Sequence, residues 1–207
     1  MSATGAVSDG KASPKGLRPC LFFDRDGIAN ISPGPGYVTK RADFHIRPEF
    51  LAAVAAGAEK GWSAVIVSNQ RGVGKGLVPP AELDAMHDAL RSAARAQGLQ
   101  LLDILCYTGL DAGHPDCKPH PGLLLRAAAR YAIDLTRSWM IGDRERDVLT
   151  GLNAGVAVTV RVDDDGTPAP PEAQLPSEAT YRLACLSQLP ELLRRKLPAW
   201  RAREAEE

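Results

Sequence analysis

Short apolar runs that stop abruptly at polar residues recur along the chain. Cys20-Leu21-Phe22-Phe23 ends at Asp24, Ala64-Val65-Ile66-Val67 at Ser68-Asn69, and Trp139-Met140-Ile141 at Gly142-Asp143. Leu101 to Tyr107 leads into a Gly/Asp/Pro loop, and Val156 to Val162 ends in Asp163-Asp164-Asp165-Gly166. Runs that are apolar at successive rather than alternate positions predict strands buried on both faces. Helical patterns lie between them. Phe50, Leu51 and Val54 follow Pro48 in an alanine-rich helix that ends near Gly61. Leu83, Met86 and Leu90 share a face of a helix opened by Pro79-Pro80 and closed by Gly98. Pro121 opens a third helix with Leu123, Leu124 and Ala127. Val148 and Leu152 mark a fourth, ended by Gly155, and Leu189, Leu192 and Leu193 a short last one. Buried strands alternating with helices predict an α/β fold: a doubly wound, Rossmann-like parallel sheet with helices on both faces. Ligands of such sheets bind outside the carboxyl ends of the strands, where every polar cluster of this chain falls.

Composition narrows the class. At 207 residues and 44% hydrophobic, the chain can bury a substantial core, which excludes wholesale disorder. Residues 1–18 are small and polar and read as a flexible leader, 19–197 as a single domain, and 198–207 as a charged tail. Lys plus Arg and Asp plus Glu both number 25, so bulk charge does not favour a polyanion partner, and nucleic acid is not expected. The leader lacks the apolar core of a secretory signal and no stretch is long enough to span a bilayer. Four scattered cysteines then read as thiols. The expectation is a soluble cytoplasmic protein without membrane partners.

Four clusters carry candidate chemistry: Asp24-Arg25-Asp26-Gly27, Ser68-Asn69-Gln70, Lys118-Pro119, and Gly142-Asp143 with Asp147 nearby. Each alone has an ordinary reading: a turn, a strand-to-helix junction, a surface lysine, acids at a helix N-terminus. Four of them in order, each after a strand, point to one site. Two carboxylates two residues apart can share a cation through one side chain and one backbone carbonyl, and all-oxygen ligation suits Mg²⁺. Asp143 adds an oxygen, directly or through water. Lys118 and Ser68 supply the donors a phosphoryl group needs. An aspartate can act as nucleophile through an aspartyl-phosphate, with a second acid moving protons.

From about Leu21 to Lys196 the chain resembles the haloacid dehalogenase-like phosphatases. Within them it is most similar to the histidinol-phosphate and heptose-1,7-bisphosphate phosphatase subgroup. The residues responsible are FFDRDG (22–27), GYV (36–38), VSNQRG (67–72), KPHPGLL (118–124) and MIGDRERD (140–147). The resemblance implies a hydrolase with Asp24 as nucleophile and Asp26 as general acid/base. It implies Ser68 and Lys118 on the transferring phosphoryl group, and Mg²⁺ held by Asp24, the Asp26 backbone carbonyl and Asp143. Asn69, Gln70, Arg71 and Arg144 would lie near the substrate, and Asp147 would support the metal ligands rather than join them.

Three departures from the subgroup bear on the substrate. Ile28 stands where a threonine usually follows the glycine, and Cys117 where an arginine often precedes the lysine. The interval Cys106 to Cys117 holds two cysteines and His114 where many members carry a zinc loop of three cysteines and a histidine. Those spacings do not supply four paired ligands, so no structural zinc is expected. Asp26 and Ser68 are separated by 41 residues and Tyr107 and Lys118 by 10, which leaves no room for a cap domain. The loop Ile31 to Thr39 is a candidate rim that touches substrate, or a plain connection. Arg71 to Gly76 lacks the GxxxxGK[ST] spacing of a nucleotide loop and reads as a flexible substrate-facing segment with Lys75 near the phosphate. His87 reads as a surface or core-edge residue, and His120 as close enough to Lys118 to line the site. The favoured function is a Mg²⁺-dependent phosphomonoesterase on a sugar phosphate such as heptose 1,7-bisphosphate. Histidinol phosphate, a polynucleotide 3′-phosphate and a non-enzymatic phosphoacceptor are the alternatives.

Overall fold

A computed structural model describes residues 16–163 and 179–201. Six strands form one parallel sheet: β1 (Cys20–Phe23), β2 (Ser63–Asn69), β3 (Asp103–Tyr107), β4 (Trp139–Gly142), β5 (Val158–Val162) and β6 (Tyr181–Leu183), in the order β3-β2-β1-β4-β5-β6. The helices are α1 (Pro48–Glu59), α2 (Arg71–Gly74), α3 (Pro80–Ala96), α4 (Gly122–Tyr131), α5 (Glu145–Ala154) and α6 (Leu189–Lys196). The chain builds outward from β1 to β2 and β3, then returns to the other side of β1 for β4. The crevice at the carboxyl ends of β1 and β4 is therefore the switch point where such folds bind ligands.

β1 shows why successive apolar residues are needed. Leu21 and Phe23 point to one face, into a core with Phe50 and Val54 of α1, Met86 and Leu90 of α3, and Leu189 and Leu193 of α6. Cys20 and Phe22 point to the other, against Leu123, Leu124 and Ala127 of α4 and Met140 of β4. All four are fully buried, and each large side chain contributes roughly 1.5–3 kcal/mol by leaving water. α1 opens on Pro48, whose fixed φ suits a first helical turn. α5 closes on Gly155 at φ 75°, the left-handed conformation a glycine adopts without strain.

Several elements differ from the sequence expectation. β2 runs on through Ser68 and Asn69, which pair with Cys106 and Tyr107 of β3, so these residues end the strand rather than follow it. β6 has no apolar run to announce it: YRL is a short, half-exposed edge strand. Arg71 to Gly74 forms a single helical turn, and Lys75 stands 5.4 Å over the Tyr37 ring rather than at the acidic cluster. Pro198 and Trp200, placed in the charged tail, bind the turn between α1 and β2: the Pro198 carbonyl accepts from Trp62 Nε1 at 2.9 Å, and Trp200 N donates to the Lys60 carbonyl at 2.8 Å. Residues 1–15, 164–178 and 202–207, and with them most of the leader, the acidic end after Asp163 and most of the charged tail, lie outside the described residues. Among the described residues no helix is long and apolar enough to cross a membrane, and neither the interval from Asp26 to Ser68 nor that from Tyr107 to Lys118 holds a further domain.

Candidate active site

The carboxyl ends of β1, β2 and β4 and the loop before α4 converge on Lys118. Its ammonium is fully buried and donates to Asp24 Oδ1 at 2.7 Å, Asp147 Oδ1 at 2.6 Å and the Val67 carbonyl at 3.1 Å. Asn69 holds the backbone that presents it: its Oδ1 accepts from Lys118 N at 2.9 Å and its Nδ2 donates to the Lys118 carbonyl at 3.0 Å. The Lys118–Pro119 peptide that follows is cis. Burial works against the lysine's charge, but Asp147 and Asp24 hold its pKa above the ordinary lysine value.

Asp143 completes the cluster. One carboxylate oxygen from each of Asp24, Asp143 and Asp147 lies within 4.8 Å of the others. Two glycines make this approach possible. A Cβ on Gly27, which has φ 94°, would overlap the Asp143 carboxylate, and one on Gly142 would overlap Asp147. Burial, and then the Asp147 charge, push Asp24 above the ordinary carboxylate range despite Lys118. Burial, Asp24 and Asp147 push Asp143 to about 7, while Arg144 Nε, 3.2 Å away, pulls the other way. Asp143 Oδ1 is buried without any hydrogen-bond partner. Three carboxylates crowd around the buried Lys118, with Arg144 beside one of them, and one buried Asp143 oxygen is left without a hydrogen-bond partner. Such a donor set fits a hard divalent cation bound by oxygen.

Asp26 faces differently. Its carboxylate accepts from Arg25 (Nη2 at 2.9 Å), Asn30 Nδ2 at 3.0 Å and Gln70 Nε2 at 2.9 Å. Burial would raise its pKa, yet Arg25, Gln70 and Asn30 together leave it below the ordinary value. Arg25 is itself 1% exposed and lies 5.4 Å over the Phe44 ring, so the arginine of the DRDG turn is a core residue. Arg47 Nη1 donates to the Gly27 carbonyl at 2.9 Å and ties the same turn to the start of α1.

A cleft of about 400 Å³ opens beside the cluster, lined by Asp26, Asn69, Arg71, Lys118 and Arg144, with the segment Ser32 to Tyr37 as one wall. The loop at 31–39 is thus a wall of the cleft. Gln70 is not: it is buried behind the cleft, with Nε2 also donating to Ser68 Oγ at 2.7 Å, where it ties Ser68 to Asp26. Asn69 reaches the cleft, but its amide is engaged by Lys118. His120 is exposed and does not line the cleft, whereas His87 is buried on α3, which leaves the core-edge reading and not the surface one. Cys106, His114 and Cys117 do not gather: Cys106 lies in β3, His114 stacks on Tyr107 at 4.8 Å, and the buried Cys117 thiol sits against Asn69. The sequence reading missed Arg146, which also lines the cleft. Its signal was its place one residue before Asp147, on the first turn of the helix that follows Asp143.

A HAD-hydrolase-like family model matches residues 117–189. A D-glycero-beta-D-manno-heptose-1,7-bisphosphate 7-phosphatase of Mesorhizobium japonicum is 32% identical over 169 residues, covering 78% of this chain and 76% of its own. The enzyme of that name from Escherichia coli K12 is 30% identical over 190 residues, covering 86% and 95%. The chain belongs to the HAD-like hydrolases. A solved relative, the D,D-heptose 1,7-bisphosphate phosphatase of B. bronchiseptica complexed with magnesium and phosphate, superposes with a TM-score of 0.75 at 29% identity, over 86% of this chain and 98% of its own. As a HAD-like hydrolase the protein carries phosphatase chemistry on a parallel sheet, and its buried acid-lysine cluster lies at the carboxyl ends of β1, β2 and β4.

Proposed function

We propose that this HAD-like hydrolase is a Mg²⁺-dependent phosphomonoesterase that works through an aspartyl-phosphate on Asp24 and removes a phosphate from a heptose 1,7-bisphosphate. The observation that carries the reading is the Lys118 ammonium clamped between Asp24 and Asp147, beside the unpartnered oxygen of Asp143. Asp24, Asp143 and the Asp26 backbone carbonyl would hold Mg²⁺, with Asp147 bracing Lys118 against them. Bound there, the ion supplies charge neutralisation and alignment of the phosphate oxygens.

The chain's own residues do the rest. An Asp24 carboxylate oxygen attacks phosphorus as the bond from phosphorus to the sugar oxygen breaks, and Asp26 gives that oxygen its proton. Asp26, then ionised, takes a proton from the water that attacks the aspartyl-phosphate, which releases inorganic phosphate and restores Asp24. Arg25, Asn30 and Gln70 hold the Asp26 carboxylate at the cleft in its ionised form. The incoming phosphate's negative charge opposes Arg25 and favours the proton for the first step. Lys118 and Ser68 bind the transferring phosphoryl oxygens, while Arg71 and Arg144 border the substrate. The substrate assignment rests on the names of the relatives. The reading also places the enzyme in the cytoplasm and includes no structural zinc.

Phosphate release from D-glycero-D-manno-heptose 1,7-bisphosphate tests the proposal. Release that requires Mg²⁺, stops with chelator and exceeds that from histidinol phosphate is expected. Histidinol phosphate as the better substrate overturns the substrate assignment; release undiminished by chelator overturns the metal.

A further inference from the structure

Asp26 is backed, on the side away from the cleft, by a buried polar network. Arg25 meets its carboxylate through Nε at 3.2 Å and Nη2 at 2.9 Å. That edge of the planar fork faces the acid, so Nη1 points away from it. Nη1 is buried without a hydrogen-bond partner, and among the described residues the guanidinium donates to Asp26 alone. Asn30 donates from Nδ2 to the same Asp26 oxygen at 3.0 Å, and its own Oδ1 is likewise buried and unpartnered. A third such atom is Nε2 of His87, on the buried face of α3. The Phe44 ring under Arg25 shares one core with Met86, the residue before His87. Burial, and then the Arg25 charge, push the His87 pKa down to about 4, so the imidazole is uncharged at neutral pH and its Nε2 can accept. Cys106 of β3 lies in the field of the same guanidinium. Orphaned buried polar atoms are costly. One donor beside two acceptors is the set that a single enclosed water satisfies, accepting from the first and donating to both others.

We propose that His87 is a positioning residue for Asp26: through one buried water shared with Asn30, its Nε2 anchors Arg25 Nη1 and so fixes the guanidinium that aims the Asp26 carboxylate. The proposal rests on the phosphatase reading above, in which Asp26 protonates the leaving oxygen. Proton transfer demands direction as well as distance. A guanidinium held on its Asp26 edge alone can swing with the carboxylate it is meant to hold; one held on both edges cannot. His87 touches no substrate and acts only through Arg25, from α3, an element that otherwise contributes nothing to the site.

The test is the ratio of kcat/KM for benzyl phosphate, whose alkoxide needs a proton as it leaves, to that for p-nitrophenyl phosphate, whose phenolate leaves without one. kcat/KM ends with departure of the alcohol, so the later hydrolysis of the aspartyl-phosphate does not enter. A ratio is also insensitive to the fraction of folded enzyme, so a merely structural role for His87 would not move it. His87→Leu, which keeps the bulk and removes the acceptor, is expected to lower the ratio about tenfold, a part of the roughly 10²–10⁴ that a general acid supplies. His87→Gln returns an acceptor near the place of Nε2 and should bring the ratio back to within about threefold of the parent. An unchanged ratio in His87→Leu overturns the proposal and leaves the phosphatase reading standing. So does a His87→Gln variant whose ratio has fallen as far as that of His87→Leu. A parent that hydrolyses neither ester with Mg²⁺, nor heptose 1,7-bisphosphate, overturns the phosphatase reading and this proposal with it.

Discussion

α5 sends acids into two neighbouring clusters that resemble each other in composition and differ in balance. Glu145 reaches the end of β5, where Arg161 Nη1 meets it at 2.9 Å and Arg161 Nε stands 3.2 Å from Asp163, which also pairs with Arg182. Two acids there face two arginines. Asp147, two residues on, enters the cluster with Asp24 and Asp143, where Lys118 is the one fully buried cation and Asp143 is driven to about 7 by burial, Asp24 and Asp147. Each cluster has one buried atom without a hydrogen bond, Arg161 Nε at β5 and Asp143 Oδ1 at β1 and β4, but Arg161 Nε stands beside a carboxylate, whereas at the site three acids crowd together and Asp24 and Asp143 hold their protons above the ordinary carboxylate range. Burying charges without balance is costly, and a fold tolerates it where a ligand supplies the missing charge. The difference separates a structural ion-pair network from a reacting centre more sharply than residue type does.

Neutralising acids on the two sides should therefore have opposite consequences. Asp24→Asn should reduce turnover to below about one-thousandth of the parent, since an amide is a poor nucleophile and a weaker ligand. Activity within tenfold of the parent in a phosphate-release assay would contradict the assignment. Asp26→Asn should cost about 10²- to 10⁴-fold, the usual worth of a general acid/base, and single-turnover traces unchanged in every phase would remove Asp26 from that role. Glu145→Gln, in the balanced cluster, should instead cost roughly 1–3 kcal/mol of stability because it leaves the buried Arg161 partly unpaired, visible in urea unfolding. A larger effect on turnover than on stability there would erase the distinction between the clusters.

On the proposed roles, Lys118→Ala would weaken phosphoryl binding and leave the acids, whereas Asp143→Ala would remove a metal ligand. Isothermal titration should show Mg²⁺ affinity falling at least about tenfold more for Asp143→Ala, and equal losses would mean the two roles are confused. A smaller effect follows from protonation. Asp143 titrates near 7 in the metal-free fold, above the ordinary carboxylate value. The folded state thus binds that proton more tightly than the unfolded chain, and metal-free stability declines as pH rises from the carboxylate range through about 7. Mg²⁺ relieves the repulsion that appears once the proton leaves. The rise in Tm on adding Mg²⁺ should be greater above pH 7 than below it; an equal or smaller rise above would contradict the charge balance described for this cluster.

Much of this was legible in the chain. Continuous apolar runs announce β1, β2 and β4 because both sheet faces are covered, and the polar residues that end them gather on one edge by topology alone. β6 was not legible, since a half-exposed edge strand needs no apolar run. Nor was the contrast between the clusters. Asp163 closes an acidic strand end much as Asp24 does, and what distinguishes them comes from other elements: Glu145, Arg161 and Arg182 at one, Lys118 and Asp147 at the other. Gln70 illustrates the same limit. The family resemblance put it near the substrate, but its side chain turns inward to bridge Ser68 and Asp26. Spacing identified the residues of the site; which of them face the cleft depends on packing between distant segments.

The central claim is that the unbalanced cluster forms a covalent phosphoryl-enzyme at Asp24. Acid-quenching the enzyme during turnover with Mg²⁺ and heptose 1,7-bisphosphate, followed by peptide mass spectrometry, tests it directly. The account predicts a phosphoryl adduct on Asp24 that is absent without Mg²⁺ and absent in Asp24→Asn. An adduct on another residue, or turnover with no adduct at any quench time, would contradict it.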